Sequence, residues 1–582
     1  MKSFFKAVLA TMVGIMFLWI LMFFTLLIIG VASLTQTPTT VKSNSVLELD
    51  LNGIIKDRTI DNPLLKLYDN SSSQEIGLDR ILTAIKNAET DDNIKGISLN
   101  VNQMSASYAT AEEIRNALLS FKSSGKFIYA YAEFMTQMSY YLATASDSIF
   151  IYPQGRIDIR GISTTQLFFH QLLEKIDVEP QIVRHGEFKS AIEPFVLDKM
   201  SKANREQMQA IVTSLWSSIR SDIASSRNVS EEKIDQIADN LRLLYDTEFA
   251  ISEHLIDGLT YKDEYEALLK KKLKIEKTKK INKVTLSEYA KSAKNPKNSS
   301  HKIAVIYALG SIVDADGDNE NIGHKTAKEI SKARQDKNIK AIVLRVNSGG
   351  GSALMSDLIW REVLLAKKEK PLVVSMGNLA ASGGYYISCA ADCIVAQPTT
   401  LTGSIGVFGV IPNIQDFLSK KLGITTDVVK TNIHSDGITL MRPMTTYEYA
   451  ALQRNVENVY DVFVQRVADG RNMTAKQVDA IGQGRVWTGS DALKIGLVDT
   501  LGGLDVAIKI AAQKAKLKDY MVIEKPIIKD FLQEITSSLM EANVSKQNML
   551  QTKLINQYNT YIEVISQLNG VQARMPFIIN IE

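Results

Sequence analysis

Polar and apolar residues are distributed along this chain in three successive patterns. From Ala7 to Leu34 the sequence is uncharged and mostly apolar. As a helix this stretch would run about 42 Å, enough to cross a hydrocarbon core of about 30 Å with some tilt. Lys2 and Lys6 precede it, which favours a cytoplasmic start and a body on the far side. A cleaved signal peptide would usually have a shorter apolar region, so residues 1–36 are expected to form an uncleaved single-pass anchor. After a polar linker around Thr35–Asn44 the pattern changes to short apolar runs separated by amphipathic stretches. The runs include Val46–Leu51, Gly96–Val101, Phe127–Tyr131, Ile303–Leu309, Ala341–Val346 and Leu372–Met376. Such alternation predicts strands and helices in turn, hence an α/β fold with mostly parallel sheets. The third pattern, Asp530–Gly570, has an amphipathic helical spacing before an apolar end at Met575–Ile579. It is expected to pack on the body or on a neighbouring subunit.

The strand-and-helix pattern occurs twice. Shifting the chain by 245 residues aligns Asp91–Pro153 with Asp336–Pro398 without gaps, and 18 of the 63 pairs are identical. Chance would give roughly four. Asp-x-Asn-Ile-Lys recurs at Asp91–Lys95 and Asp336–Lys340, and Tyr140-Tyr141 recurs as Tyr385-Tyr386. Six residues past the shared proline, Ile159 stands opposite Ser404. After a one-residue gap Lys189 falls opposite Ser435. One copy therefore keeps a candidate nucleophile and the other a candidate base.

Length and charge narrow the picture. A chain of 582 residues is too long for one ordinary core, and two domains plus extensions follow. The expected boundaries are the anchor to residue 36, a first domain over 45–275, a linker over 276–302, a second domain over 303–517 and a helical C-terminal extension over 518–582. The linker is rich in Lys, Ser and Asn. A net charge of +3 gives no reason to expect nucleic acid. The two cysteines, Cys389 and Cys393, read as buried small apolar residues rather than a disulfide framework.

Four motifs carry candidate chemistry. Asn347-Ser348-Gly349-Gly350-Gly351-Ser352 follows a buried strand and precedes a helix. Such a turn can aim backbone N–H groups at an oxyanion or a phosphate, or simply connect strand to helix. It is not a Walker loop, and the first copy has Gln103-Met104-Ser105-Ala106 in its place. Ala380–Tyr386 is small and flexible where its counterpart is bulky, which suits a peptide passing close or a tightly packed helix. Ser404 lies between Gly403 and Gly406, where a hydroxyl is presented without crowding. Lys189, in Gly186–Ala191, could act as a base if burial lowered its amine from a reference pKa of about 10.4 by roughly three units. Ser-Lys pairs can replace a triad. His185 and His434 are competing bases.

Leu401–Gly409, the Asn-Ser-x-Gly-Gly-Ser turn, Ala381–Tyr386 and Gly186–Phe195 together resemble the signal peptide peptidase A family in its long, duplicated form, also called the protease IV family. The resemblance covers about residues 1–515. It implies two tandem ClpP/crotonase-like domains, a homotetramer facing the membrane, and endopeptidase activity on signal peptides left by signal peptidase, outside the cytoplasmic (inner) membrane on the periplasmic side. Carried over, Ser404 is the nucleophile and Lys189 the general base. The backbone N–H of Ser404, with one from Gly350 or Gly351, would hold the oxyanion. Ser382, Gly383 and Tyr385 would line the peptide groove. No metal or cofactor is implied. The family turn usually carries proline where Gly349 stands. A further hydroxyl near the lysine has Thr431 and Ser435 as candidates. The alternatives are a crotonase-like enzyme on acyl-CoA thioesters and a catalytically silent membrane scaffold.

Overall fold

Strands buried on both faces are rich in Val, Ile and Leu, and such runs build two sheets of matching order. The computed structural model describes residues 4, 6, 10–22, 25, 40–59, 75–292, 299–318, 320–527 and 572–574. In the first sheet the order is Asn282–Thr285, Ser45–Asp50, Ile94–Asn100, Phe127–Met135, Ser148–Ile157 and Gly258–Leu259, all parallel. The second runs Met521–Lys525, Lys302–Leu309, Ile339–Ser348 and Leu372–Ala381, then on to Cys393–Ala396 and Thr500–Leu501. A side branch of Leu401–Gly403 with Val486–Thr488 leaves the strand Leu372–Ala381.

The duplication extends to the polar pins. Ile128 and Leu372 donate their N–H groups to Asp147 and Asp392, and Ile149 and Ile394 donate theirs to Asp257 and Asp499. The hydroxyls of Tyr140 and Tyr385 donate to the carbonyls of Leu255 and Leu497. Each copy has a 26-residue helix, Lys202–Arg227 or Thr446–Arg471, and each ends at an asparagine in the left-handed conformation. Asparagine tolerates that conformation at a helix end.

Two expected boundaries shift. The supposed linker contains Asn282–Thr285, which pairs with the first strand of its copy, followed by the helix Leu286–Ser292. In the same way Met521–Lys525 pairs with Lys302–Leu309. Each late strand covers an edge that would otherwise present unpaired backbone groups. The described parts of 518–582 thus include strands, not the expected helix, and the amphipathic stretch from 530 to 570 lies outside the described residues. Residues 10–22 are helical and exposed. Among the described residues no helix is long and apolar enough to cross a membrane; much of the Ala7–Leu34 segment lies outside them.

A third sheet joins the halves. Its order is Asn321–Ile322, Ser311–Ile312, Gly350–Ser352, Gln572–Arg574, Val407–Asn413 and Glu179–His185. Glu179–His185 of the first copy runs antiparallel to Val407–Asn413 of the second, with Val407 opposite His185 and Asn413 opposite Glu179. Behind this sheet the buried Arg345 guanidinium, from the second copy, donates to Asp57 and Glu113 of the first, at 2.8 Å each. Asn347 also donates to Asp57, so the first copy anchors the strand that leads into the glycine-rich turn.

Candidate active site

The pairing of Glu179–His185 with Val407–Asn413 decides where Lys189 goes. Lys189 follows the end of one strand by four residues, and Ser404 precedes the start of the other by three. Antiparallel register therefore brings two residues 215 apart in sequence to the same end of the ladder. The Lys189 amine donates to Ser404 Oγ at 3.0 Å, to the Ser404 carbonyl at 3.2 Å and to Ser382 Oγ at 2.9 Å. Lys189, Ser382 and Ser404 all have 0% exposure. The Phe408 ring centre lies 5.9 Å from the amine.

Burial pushes the Lys189 amine well below its ordinary value, because a charged ammonium loses its hydration there. The two serines beside it hold uncommon backbone conformations, φ 55° at Ser382 and φ 52° at Ser404. Non-glycine residues rarely adopt positive φ, and such strain concentrates at functional sites. Main-chain bonds hold both in place. Ser382 N–H donates to Gly403 at 2.8 Å, and Ser404 N–H donates to Arg485 at 2.7 Å.

The loop around Gly484 clamps the pair. Gly484 N–H donates to the Ile405 carbonyl at 2.7 Å, and Phe188 N–H donates to Gln483 at 2.9 Å. Gly484 has φ +81°, and a Cβ there would lie 2.6 Å from the Lys189 Cβ. On the other side, Gly350 and Gly351 have φ of 97° and 153°, and a Cβ on Gly351 would collide with the Ile312 carbonyl. Glycine is needed at both places for the main chain to approach so closely.

A hydroxyl hydrogen-bonded to a buried amine of lowered pKa is an arrangement that can activate an oxygen nucleophile. The comparisons give this arrangement a family. The model of Peptidase family S49 matches residues 120–276 and 365–518, one region in each copy. The chain belongs to peptidase family S49. Protease 4 of Salmonella typhi is 37% identical over 92% of this chain and 90% of its own. The chloroplastic serine protease SPPA of Arabidopsis thaliana is 31% identical over 92% of this chain and 78% of its own. Among solved structures, a ClpP1 mutant from Listeria monocytogenes aligns with 35% of this chain and 94% of its own, at 13% identity and a TM-score of 0.23. This S49 member is a serine peptidase, and neither the acyl-CoA reading nor the silent scaffold is favoured.

Several expected site residues of the S49 chain stand elsewhere than supposed. The Ser404 N–H, expected to face an oxyanion, is spent on the Arg485 carbonyl. Tyr385, expected in the groove, is wholly buried, and its hydroxyl pins Leu497 just as Tyr140 pins Leu255. Gly383 is buried in the first turn of the helix Gly383–Ser388. Ser382, expected to contact the peptide, instead accepts from Lys189. Thr431 and Ser435 are exposed, so the second hydroxyl beside the lysine belongs to Ser382. His185 stacks on Tyr460 with ring centres 3.9 Å apart, and His434 lies 3.6 Å from Glu448; neither is bonded to Ser404 among the described residues. No residue type in the sequence marks the main-chain roles of Gln483, Gly484 and Arg485, or Ser382 as a partner of the lysine.

Proposed function

We propose that Ser404 and Lys189 form the catalytic dyad of a membrane-anchored endopeptidase. The carrying observation is the 3.0 Å hydrogen bond between the Lys189 amine and Ser404 Oγ in a fully buried setting. In the first step Ser404 Oγ attacks the carbonyl carbon of the scissile bond while the neutral amine of Lys189 takes the hydroxyl proton. The Gly350-Gly351 turn supplies main-chain N–H to the oxyanion; the Gly350 N–H donates to Ser348 Oγ at 3.1 Å and must give up that bond to take part. The C–N bond then breaks, and the Lys189 ammonium returns its proton to the leaving amine. Water repeats the sequence on the acyl-enzyme, with Lys189 again as the base. Ser382 Oγ accepts a hydrogen bond from the lysine, which fixes the amine's direction toward Ser404.

The apolar stretch Ala7–Leu34, with lysines before it, supports a single-pass anchor and a catalytic body outside the cytoplasmic membrane. The resemblance to the signal peptide peptidase A family supports ClpP/crotonase-like halves, a homotetramer, and remnant signal peptides as substrates. The test is hydrolysis of a fluorogenic apolar peptide by Ser404→Ala and Lys189→Ala. Each variant is expected to lose at least about 10³-fold in kcat. Near-normal turnover in either would remove that residue from the dyad. Loss in His185→Ala with activity kept in Lys189→Ala would move the base to histidine.

A further inference from the structure

The main chain that enters the glycine-rich turn is gripped through one side chain, Asn347. Its Oδ1 accepts from the Leu379 N–H at 3.1 Å, and its Nδ2 donates to Asp57 of the first copy. The first copy has the same fitting at Asn102, the counterpart of Asn347. Asn102 Oδ1 accepts from the N–H groups of Glu133 and Phe134, and Phe134 is the counterpart of Leu379. Its Nδ2, however, donates at 2.8 Å to Asn100 of its own copy. The counterpart of Asn100 in the second copy is Arg345, and a guanidinium has donors only. The copy that carries Ser404 therefore lacks the local acceptor for this asparagine. Asp57 supplies it from outside, with one oxygen on Asn347 and the other on Arg345 Nε at 2.8 Å.

The turn is held at both ends by equivalent carboxylates. Asp57 and Asp314 each stand four residues beyond a matching glycine, Gly53 or Gly310. Asp314 accepts from the Ser352 hydroxyl just after Gly350 and Gly351, and Asp57 accepts from Asn347 just before them. Asp57, Arg345 and Glu113 are buried together, and charge-assisted bonds of this kind are short and directional. We infer that Asp57 is a positioning residue for the peptidase reaction: through Asn347 it sets the direction of the turn whose N–H groups meet the oxyanion. The inference rests on the Ser404–Lys189 reading for the place of the oxyanion, and on the hydrogen bonds alone for what holds the turn. The copy that carries the lysine thus contributes twice to the site, once with the base and once with the support of the turn. A misplacement of about 1 Å costs roughly 10²-fold in rate. Loss of the acceptor therefore acts on the transition state rather than on peptide binding.

The test compares the parent chain with Asp57→Asn, which turns one acceptor into a donor, and Asp57→Glu, which keeps the charge beside Arg345 and moves the acceptor. Asn100→Ala makes the matching lesion in the other copy. Active-site titration with a fluorophosphonate counts competent enzyme, so a merely smaller folded fraction leaves kcat per site unchanged. Per titrated site, both Asp57 variants are expected to lose at least about tenfold in kcat, with KM within about twofold of the parent. The inhibition constant of a peptide aldehyde, whose adduct with Ser404 carries the oxyanion, should rise by the same factor as kcat falls. Asn100→Ala should match the parent in kcat, KM and aldehyde affinity. Adding Asn347→Ala to Asp57→Asn should lower kcat by no more than about twofold further, because both cut one path. Should Asp57→Asn fail to fold, Asp57→Glu decides alone. Unchanged kcat per site, or a fall in kcat without a weaker aldehyde, would overturn the inference and leave the dyad standing. Near-normal hydrolysis in Ser404→Ala with Asp57 intact would instead count against the dyad.

Discussion

An amine without a carboxylate partner in a dry site is easier to keep neutral than charged, and among the described residues Lys189 has none. Its lowered pKa makes the folded state bind fewer protons than the unfolded state below the ordinary lysine range. Stability is therefore reduced at neutral pH and recovers as pH rises toward that range. Lys189→Met should consequently melt higher than the parent chain at pH 7, with the difference shrinking above pH 9, while losing hydrolysis; differential scanning fluorimetry across pH checks this. Gly484→Ala should lower kcat at least about tenfold, because its new methyl meets the lysine stem and a displaced base costs heavily. At this scale the sequence was informative about Ser404 and Lys189, since each stands where the other copy has an unrelated residue. It was uninformative about Arg485 and Gln483, which act through backbone carbonyls that any side chain would supply. The bond between Ser382 and the lysine was not legible, because a small residue beside glycines looks the same whether it borders a groove or faces a buried amine.

Among elements, the ladder between Glu179–His185 and Val407–Asn413 matters most, because neither copy holds both members of the proposed dyad. Val183 is buried and lies opposite Gly409 in the middle of that ladder. Val183→Pro would remove a donor and distort the strand. It is expected to cut kcat/KM at least about 100-fold while far-UV circular dichroism keeps most of its helix and sheet signal, since the two parallel sheets do not include this strand. Equal activity in that variant would mean that the ladder does not position the lysine. The long apolar strands and their parallel arrangement were legible from alternation alone. The edge strands Asn282–Thr285 and Met521–Lys525 were not. Both are short, and one sits in a Lys- and Asn-rich stretch that resembles a linker; what makes them strands is the edge waiting in the sheet.

At the scale of the whole molecule, the halves meet through buried charge as well as apolar surface. Glu112 of the first copy accepts hydrogen bonds from Thr399 of the second, from its hydroxyl at 2.7 Å and its N–H at 3.3 Å. Burial pushes its carboxyl up to about 7. A raised carboxyl pKa means that the folded chain holds a proton the unfolded chain has released, so stability falls as pH climbs from about 4.5 to about 7 and then levels. Glu112→Gln should therefore stabilise the chain by on the order of 1–3 kcal/mol at pH 8 and by little at pH 4, as read by urea unfolding at the two pH values. The duplication was visible in the sequence, with its 18 identities. That the halves would share a sheet was not, because the pairing strands have no counterpart in the aligned region.

In the proposed dyad a neutral, buried Lys189 draws the proton from Ser404. The most direct measurement is the pH dependence of Ser404 acylation by a serine-reactive fluorophosphonate, followed by mass spectrometry in the parent chain and in Lys189→Met. The expected labelling rate rises through one ionisation well below the ordinary lysine value, and the Lys189→Met variant is labelled more slowly and without that rise. The same rise in both proteins would contradict it.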